Sequence, residues 1–153
     1  MVRKLSRIDN SPLKTLVIVS GYFNPLHKGH LELFKKAKES GDELLVIVNS
    51  DWQRELKGSK EFMDQEERAD IVDAIKYVDY TLISLDKDKT QCNTLEFLKR
   101  KFKETHNLIF ANGGDQNNNS IPEAEICRKL KIKLIDGLGD KIQSSSWLLD
   151  KDE

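Results

Sequence analysis

The chain has 153 residues, 25 Lys and Arg against 26 Asp and Glu, a formal net charge of −1 and 38% hydrophobic residues. That length fits one ordinary domain, able to close a core without disulfides or metals as staples. The near-zero charge excludes a protein whose main affinity comes from a large cationic surface, so nucleic acid is not an expected partner. No apolar run approaches the roughly 20 residues of a membrane helix, and the polar N-terminus lacks a signal-peptide core, so no membrane association is expected and the compartment implied is the cytosol. Cys92 and Cys127 lack C-x-x-C spacing and read as reduced structural cysteines, with a redox or metal pair as the alternative.

Along the chain, residues 1–14 show neither helical nor strand period and read as an N-terminal arm, with the domain occupying 15–153. Leu16-Val17-Ile18-Val19 is a continuous apolar run ending at Gly21, as in a strand covered on both faces. Leu31, Phe34 and Ala37 then share one side of a helix over residues 28–40, closed by Gly41. Residues 44–48 form a second buried strand. Asp64-Gln65-Glu66-Glu67 opens a helix that turns Ile71, Val72 and Ile75 inward. A strand over 80–84 leads to a helix carrying Leu95, Leu98 and Phe102. A fourth strand over 108–111 runs into Asn112-Gly113-Gly114-Asp115. Ser120-Ile121-Pro122-Glu123 starts a helix with Ile126, Cys127 and Leu130, residues 133–135 give a short fifth strand, and a last helix opens near Ser144. Strands separated by helices of this length make right-handed crossovers, which predicts an α/β, Rossmann-like open parallel sheet of about five strands with helices on both faces.

Sites in such sheets lie beyond the carboxyl ends of the strands. After the first strand comes Gly21-Tyr22-Phe23-Asn24-Pro25-Leu26-His27-Lys28-Gly29-His30. Two histidines astride a glycine at a helix entrance can both reach an anion held by that helix's free N–H groups, and Gly29 permits close approach. Two solvated loop histidines or half of a metal site have the same composition, but no third ligand follows at zinc-like spacing. The second strand ends in Val48-Asn49-Ser50-Asp51, followed by Arg54 and Lys57-Gly58. Lys28, Arg54 and Lys57, on loops above the sheet, suit a polyphosphate clamp, or else a solvated surface. Gly113-Gly114-Asp115 suits close approach of a nucleotide, with Asp115 accepting from a hydroxyl or base amine; a plain Gly-Asp turn is the alternative. Ser144, Ser145 and Ser146 before Trp147 place hydroxyls at a helix N-terminus, as phosphate ligands or as a simple cap.

From Gly21 to His30 these residues resemble the G-x-F-x-x-x-H-x-G-H signature of the cytidylyltransferase-like nucleotidyltransferase superfamily. The resemblance continues through Leu56-Lys57-Gly58, Glu66-Glu67-Arg68-Ala69, Tyr77-Val78-Asp79, Gly113-Gly114-Asp115 and the serines, in the family's order. The layout is most similar to the adenylyltransferase domain that makes nucleotide-activated heptose and to glycerol-3-phosphate cytidylyltransferase. It implies transfer of AMP or CMP from an NTP, ATP favoured over CTP, to a phosphorylated sugar, polyol or similar small molecule, with pyrophosphate released, Mg²⁺ accompanying the NTP and a homodimer as the assembly. By the same resemblance His27, His30 and Lys57 are the catalytic residues. Gly21, Tyr22, Phe23, Gly29, Gly113, Asp115, Ser144, Ser145 and Ser146 are the nucleotide contacts, Asn24, Lys28, Asn49, Asp51, Arg54 and Arg68 the substrate contacts, and no residue is a metal ligand. Asn24-Pro25 departs from the Asp-containing form common in the sugar and glycerol enzymes and is similar to nicotinamide-mononucleotide adenylyltransferases. Gln116 follows Gly-Gly-Asp, and Lys141 stands near the serines where the cytidylyltransferases carry an arginine. A nucleotide-binding regulatory protein without turnover is the competing class.

Overall fold

The computed structural model describes residues 13–58, 60–61, 63–113 and 122–138. The strands are β1 (Lys14–Gly21), β2 (Glu43–Val48), β3 (Tyr80–Ile83), β4 (His106–Gly113) and β5 (Lys133–Leu138). The helices are α1 (Lys28–Glu39), α2 (Asp51–Lys57), α3 (Gln65–Asp73), α4 (Cys92–Phe102) and α5 (Glu123–Leu130). The sheet is parallel in the order β3-β2-β1-β4-β5, the doubly wound arrangement anticipated from the alternating pattern.

The apolar runs are continuous because both sheet faces are covered. Leu16, Ile18, Leu45, Ile47, Leu108 and Phe110 point to one face and pack under Leu95, Leu98 and Phe102 of α4 and Ala124 and Cys127 of α5. Val17, Val19, Leu44, Val46 and Val48 point to the other, against Phe34 and Ala37 of α1 and Val72 of α3. Each such aliphatic side chain contributes about 1.5–3 kcal/mol when fully buried. Both cysteines are free thiols, and burial first, then Glu123 and Cys92 nearby, pushes the Cys127 thiol up to about 12. No helix among the described residues is long and apolar enough to cross a membrane.

Three expectations are corrected. Residues Asp51–Lys57 are a helix and not a loop, opened by a reciprocal Ser50–Gln53 capping box and closed at Gly58 in the left-handed region, φ 84°. Ile71 is 39% exposed, because the inward face of α3 is set by Arg68 and Val72 four residues apart, both fully buried. The first strand begins two residues earlier than its apolar run, since Lys14 pairs with His106 across β1 and β4.

The amino ends of the strands are tied by a polar cluster away from the site. His106 Nε2 and Glu43 Oε1 are 2.7 Å apart, and the Tyr80 hydroxyl donates to the same oxygen at 3.1 Å. Lys14 approaches Glu43 Oε2 at 3.6 Å. Burial works to raise the Glu43 carboxyl, but the hydrogen bonds from His106 and Tyr80 and the charges of His106 and Lys14 outweigh it and hold the group below its ordinary range. A depressed carboxyl stabilises the fold above its unfolded pKa of about 4.3 and ceases to do so as pH falls through the folded value. The stability margin of wild type over E43Q, from urea titrations, is therefore expected to be level above pH ~5 and to shrink in more acidic solution; a margin that grows on acidification contradicts the assignment.

Candidate active site

β1 and β4 pair side by side only as far as Ile18 and Phe110, three residues short of Gly21 and Gly113. Beyond that, β1 stays paired with β2 through Gly21 and Val48, while β4 stays with β5 through Gly113 and Leu138. The carboxyl edge thus splits between β1 and β4, where the winding of the sheet reverses and doubly wound folds bind ligands.

The loop leaving β1 starts at this edge. Phe23 sits at φ 54°, a left-handed conformation costing a phenylalanine about 1–2 kcal/mol. Its ring is 2% exposed, edge-on to His30 at 4.9 Å and to Phe34 at 5.4 Å, so packing holds it there. A Cβ on Gly21 would lie 2.7 and 2.8 Å from two Phe23 ring atoms. Gly21 is therefore required first by the aromatic that folds back beneath it.

His27 is the N-cap of α1, and its Nδ1 accepts from the Gly29 N–H at 3.1 Å. His30 Nδ1 accepts from the His27 N–H, also at 3.1 Å. The imidazoles form a reciprocal capping box usually made by Ser and Glu. A neutral ring that accepts at Nδ1 carries its hydrogen at Nε2, so both histidines keep an Nε2–H donor for a ligand. The rings stack at 3.8 Å with planes 29° apart. Burial foremost, then the neighbouring His27, lowers the His30 pKa from 6.5 to about 4, which keeps its ring neutral near pH 7. The first turn of α1 contains no acid and begins with exposed Lys28, whereas α2, α3 and α5 each carry Asp or Glu in theirs. The positive end of α1 therefore meets no carboxylate of its own first turn.

Lys57, in the last turn of α2, holds its Nζ 4.3 Å from the centre of the Tyr22 ring and so belongs to the same opening. Burial raises the Tyr22 phenol above its ordinary range, opposed by a hydrogen bond with Asn49. Asn24 turns its amide to the segment between α2 and α3, donating to Lys60 O at 2.7 Å and accepting from the Met63 N–H at 3.2 Å.

Arg68, expected to face substrate, is fully buried. Its Nε donates to Met63 O at 3.0 Å, one Nη to Tyr22 O and Asn49 O at 2.8 Å each, and the other Nη to Asp51 Oδ1 at 2.6 Å. Asp51 Oδ2 accepts from the Gln65 N–H at 3.2 Å while its own N–H donates to Gln65 Oε1 at 2.9 Å. Arg54, also expected to face substrate, is 7% exposed, with Glu61 at 3.2 Å, Glu55 at 3.6 Å and Asp51 at 3.9 Å. Arg68, Asp51 and Arg54 therefore spend their charges on the protein's own frame. Gly113 ends β4 on the far side of the opening; Asp115, Ser144, Ser145 and Ser146 lie outside the described residues.

Sequence reasoning missed a second support. Gln53, fully buried, donates to Asp88 O at 2.7 Å and Thr90 O at 3.0 Å, fastening α2 to the loop after β3. Asp86 in that loop caps α4 from a distance, accepting from the N–H groups of Asn93 and Thr94 at 2.8 Å each. Glu123 accepts from the Gln91 N–H at 2.8 Å and joins the starts of α4 and α5. The S-x-x-Q pattern at Ser50 was the one signal for Gln53; the other two contacts span sequence gaps that local patterns do not reveal.

A doubly wound sheet that opens beside a helix start armed with two imidazole donors defines a phosphate-binding, nucleotide-handling domain. Residues 18–137 match the Cytidylyltransferase-like family model, and the chain belongs to that family and is a nucleotidyltransferase. It is 35% identical over 144 residues to an FAD synthase of Pyrococcus horikoshii, covering 93% of this chain and 87% of that protein. It is also 35% identical over 137 residues to the bifunctional protein HldE of Campylobacter fetus, covering 88% of this chain but only 28% of that longer protein. Among solved structures, a lipopolysaccharide core biosynthesis protein of Thermoplasma volcanium superposes with a TM-score of 0.60 at 25% identity, over 80% of this chain and 95% of the other.

Two substitutions test this frame. G21A is expected to cost about 1–3 kcal/mol, because the added methyl meets a buried ring that cannot retreat. R68Q is expected to cost about 1–3 kcal/mol, the penalty for leaving its carbonyl acceptors unsatisfied while half-buried Asp51 loses the nearer of its two charged partners. Urea unfolding measures both, and near-neutral changes would mean that neither residue holds the loops.

Proposed function

We propose that the protein transfers a nucleoside monophosphate, AMP in preference to CMP, from the triphosphate to the phosphate of a small sugar, polyol or related metabolite and releases pyrophosphate. The observation that carries this reading is the start of α1, where His27 and His30 each accept a backbone N–H at Nδ1 and so keep an Nε2–H donor, and where the first turn holds exposed Lys28 and no carboxylate. In the reaction, a phosphate oxygen of the acceptor forms a bond to the α-phosphorus as the bond from that phosphorus to the pyrophosphate oxygen breaks. The attacking oxygen is already anionic at neutral pH, so the step needs no general base. It needs donors that neutralise charge growing on the departing pyrophosphate.

His27 and His30 suit that role through Nε2–H, and Lys57 supplies a full positive charge beside Tyr22. Mg²⁺ enters with the triphosphate as part of the substrate; among the described residues no group of three His, Cys, Asp or Glu is placed to hold a metal. The preference for ATP rests on the Gly113-Gly114-Asp115 layout, which resembles the heptose adenylyltransferase, and accords with a relative named as an FAD synthase. Pyrophosphate release from ATP and CTP, each with sugar 1-phosphates, glycerol 3-phosphate, nicotinamide mononucleotide and flavin mononucleotide, tests the proposal. Nucleotide binding with no turnover across that panel overturns it.

H30A is expected to lower kcat by about 100- to 1,000-fold while weakening triphosphate binding much less, since the contact strengthens as charge develops. An NMR titration of the His30 ring should have its midpoint near pH 4. Between 6.5 and that value the unfolded chain takes up the proton first, so the His30 contribution to stability falls as pH falls. A midpoint near 6.5 would remove the buried neutral donor from the mechanism.

A further inference from the structure

We infer that Asn24 is a positioning residue, whose side-chain amide latches the segment following Lys57 onto the loop that carries His27 and His30, and that only a group able both to donate and to accept can hold this latch. Its catalytic consequence rests on the nucleotidyl-transfer reading; the latch itself does not.

The segment leaves α2 at Gly58, where nothing lies within 4 Å of the position a Cβ would take, and Lys60 and Glu61 are exposed. Gly58, Lys60 and Glu61 therefore supply no apolar packing to place it. The Asn24 Nδ2–H₂ and Oδ1 instead grip two of its backbone groups of opposite sense, the Lys60 carbonyl at 2.7 Å and the Met63 N–H at 3.2 Å. Arg68 Nε holds Met63 from the other side through its carbonyl at 3.0 Å, so the segment is pinned just ahead of α3. Lys57, one residue before Gly58, stands over Tyr22, two residues before Asn24. The latch closes a short circuit from the histidine loop through Lys60 back to the lysine that must share its ligand.

An ionised aspartate offers acceptors only and would set a carboxylate oxygen against the Lys60 carbonyl oxygen at that 2.7 Å separation. Protonated, it would again carry one donor and one acceptor in nearly the same shape. N24D, though it restores the residue common in the sugar and glycerol enzymes, should therefore open the latch at neutral pH and close it in acid. N24A should leave it open at every pH.

The experiment combines hydrogen exchange of the peptide spanning residues 58–64 with turnover of wild type, N24D, N24A, K57A and N24D/K57A on the accepted triphosphate. Exchange in that peptide is expected to rise about tenfold in both single Asn24 variants, the scale of one lost hydrogen bond. At pH 7, kcat/KM should fall about tenfold in N24D when Lys57 is present and less than twofold in the K57A background, because the loss acts through the lysine. The ratio of N24D to wild type should climb as pH drops toward the carboxyl range near ~4 to 5, and the N24A ratio should stay flat. Unchanged exchange, effects of N24D and K57A that multiply in full, or a flat N24D ratio each overturns the inference. If wild type turns over no triphosphate, the transfer reading fails, and the exchange of N24D and N24A alone still decides the latch.

Discussion

The buried guanidinium of Arg68 is the interaction on which the carboxyl edge of this sheet depends. Its acceptors are not scattered. Tyr22 O stands where β1 gives way to the histidine loop, Asn49 O where β2 gives way to the Ser50 cap of α2, Met63 O just before the Asp64 cap of α3, and Asp51 in the first turn of α2. A single planar group fixes the relative positions of three turns that local sequence could place only one at a time. Lysine, with one tetrahedral head, cannot reach four such acceptors in a plane. Taking the charge out of water costs several kcal/mol, and the Asp51 carboxylate with three carbonyls offsets that cost only while all are in place. The site is consequently cooperative: loosening one turn raises the cost of holding the others.

Charge around this edge is sorted by function. Acids occupy the first turns of α2, α3 and α5, and Asp86 caps α4 from the preceding loop, so those helix ends meet carboxylates of the protein itself. At α1 the cap is a pair of imidazoles that consume backbone N–H groups through Nδ1 and present fresh donors through Nε2. Capping an anion-binding helix with a carboxylate would stabilise the free protein and repel its ligand. Histidine resolves the conflict, since it satisfies the helix start without cancelling its positive end. A net charge of −1 is compatible with this because the cationic ground is local, confined to one helix start and Lys57.

The parallel sheet with helices on both faces was legible because apolar runs and amphipathic helices carry it. Val17 and Val19 against Leu16 and Ile18 show the two-sided burial directly. The histidine loop was legible as a pattern of residue types. What was not legible was the use of charge: Arg54 and Arg68 are cations beside a supposed phosphate site, and nothing local distinguishes a ligand from a strut. That distinction depends on which carbonyls converge from Tyr22, Asn49 and Met63, groups 14 to 41 residues apart, whose meeting is a property of the closed sheet. Ile71 failed for the same reason, since the burial of Arg68 rotates α3 toward a face that hydrophobicity alone would not choose.

The glycine and aromatic of the first loop acquire a different meaning from this packing. Gly21 at the end of a strand suggests close approach of a nucleotide, yet the atom that first excludes a side chain there belongs to Phe23. Phe23 in turn accepts a left-handed backbone in order to place its ring against His30. That ring helps remove water from the imidazole, and loss of water is the leading cause of its lowered pKa. The chain from Gly21 through Phe23 to His30 is thus one device: the missing Cβ makes room for the ring, the ring helps dry the histidine, and the dry histidine stays a neutral donor instead of becoming an imidazolium. A neutral donor held in fixed orientation needs no reorganisation to meet an anionic group, and it leaves the supply of full positive charge to Lys57.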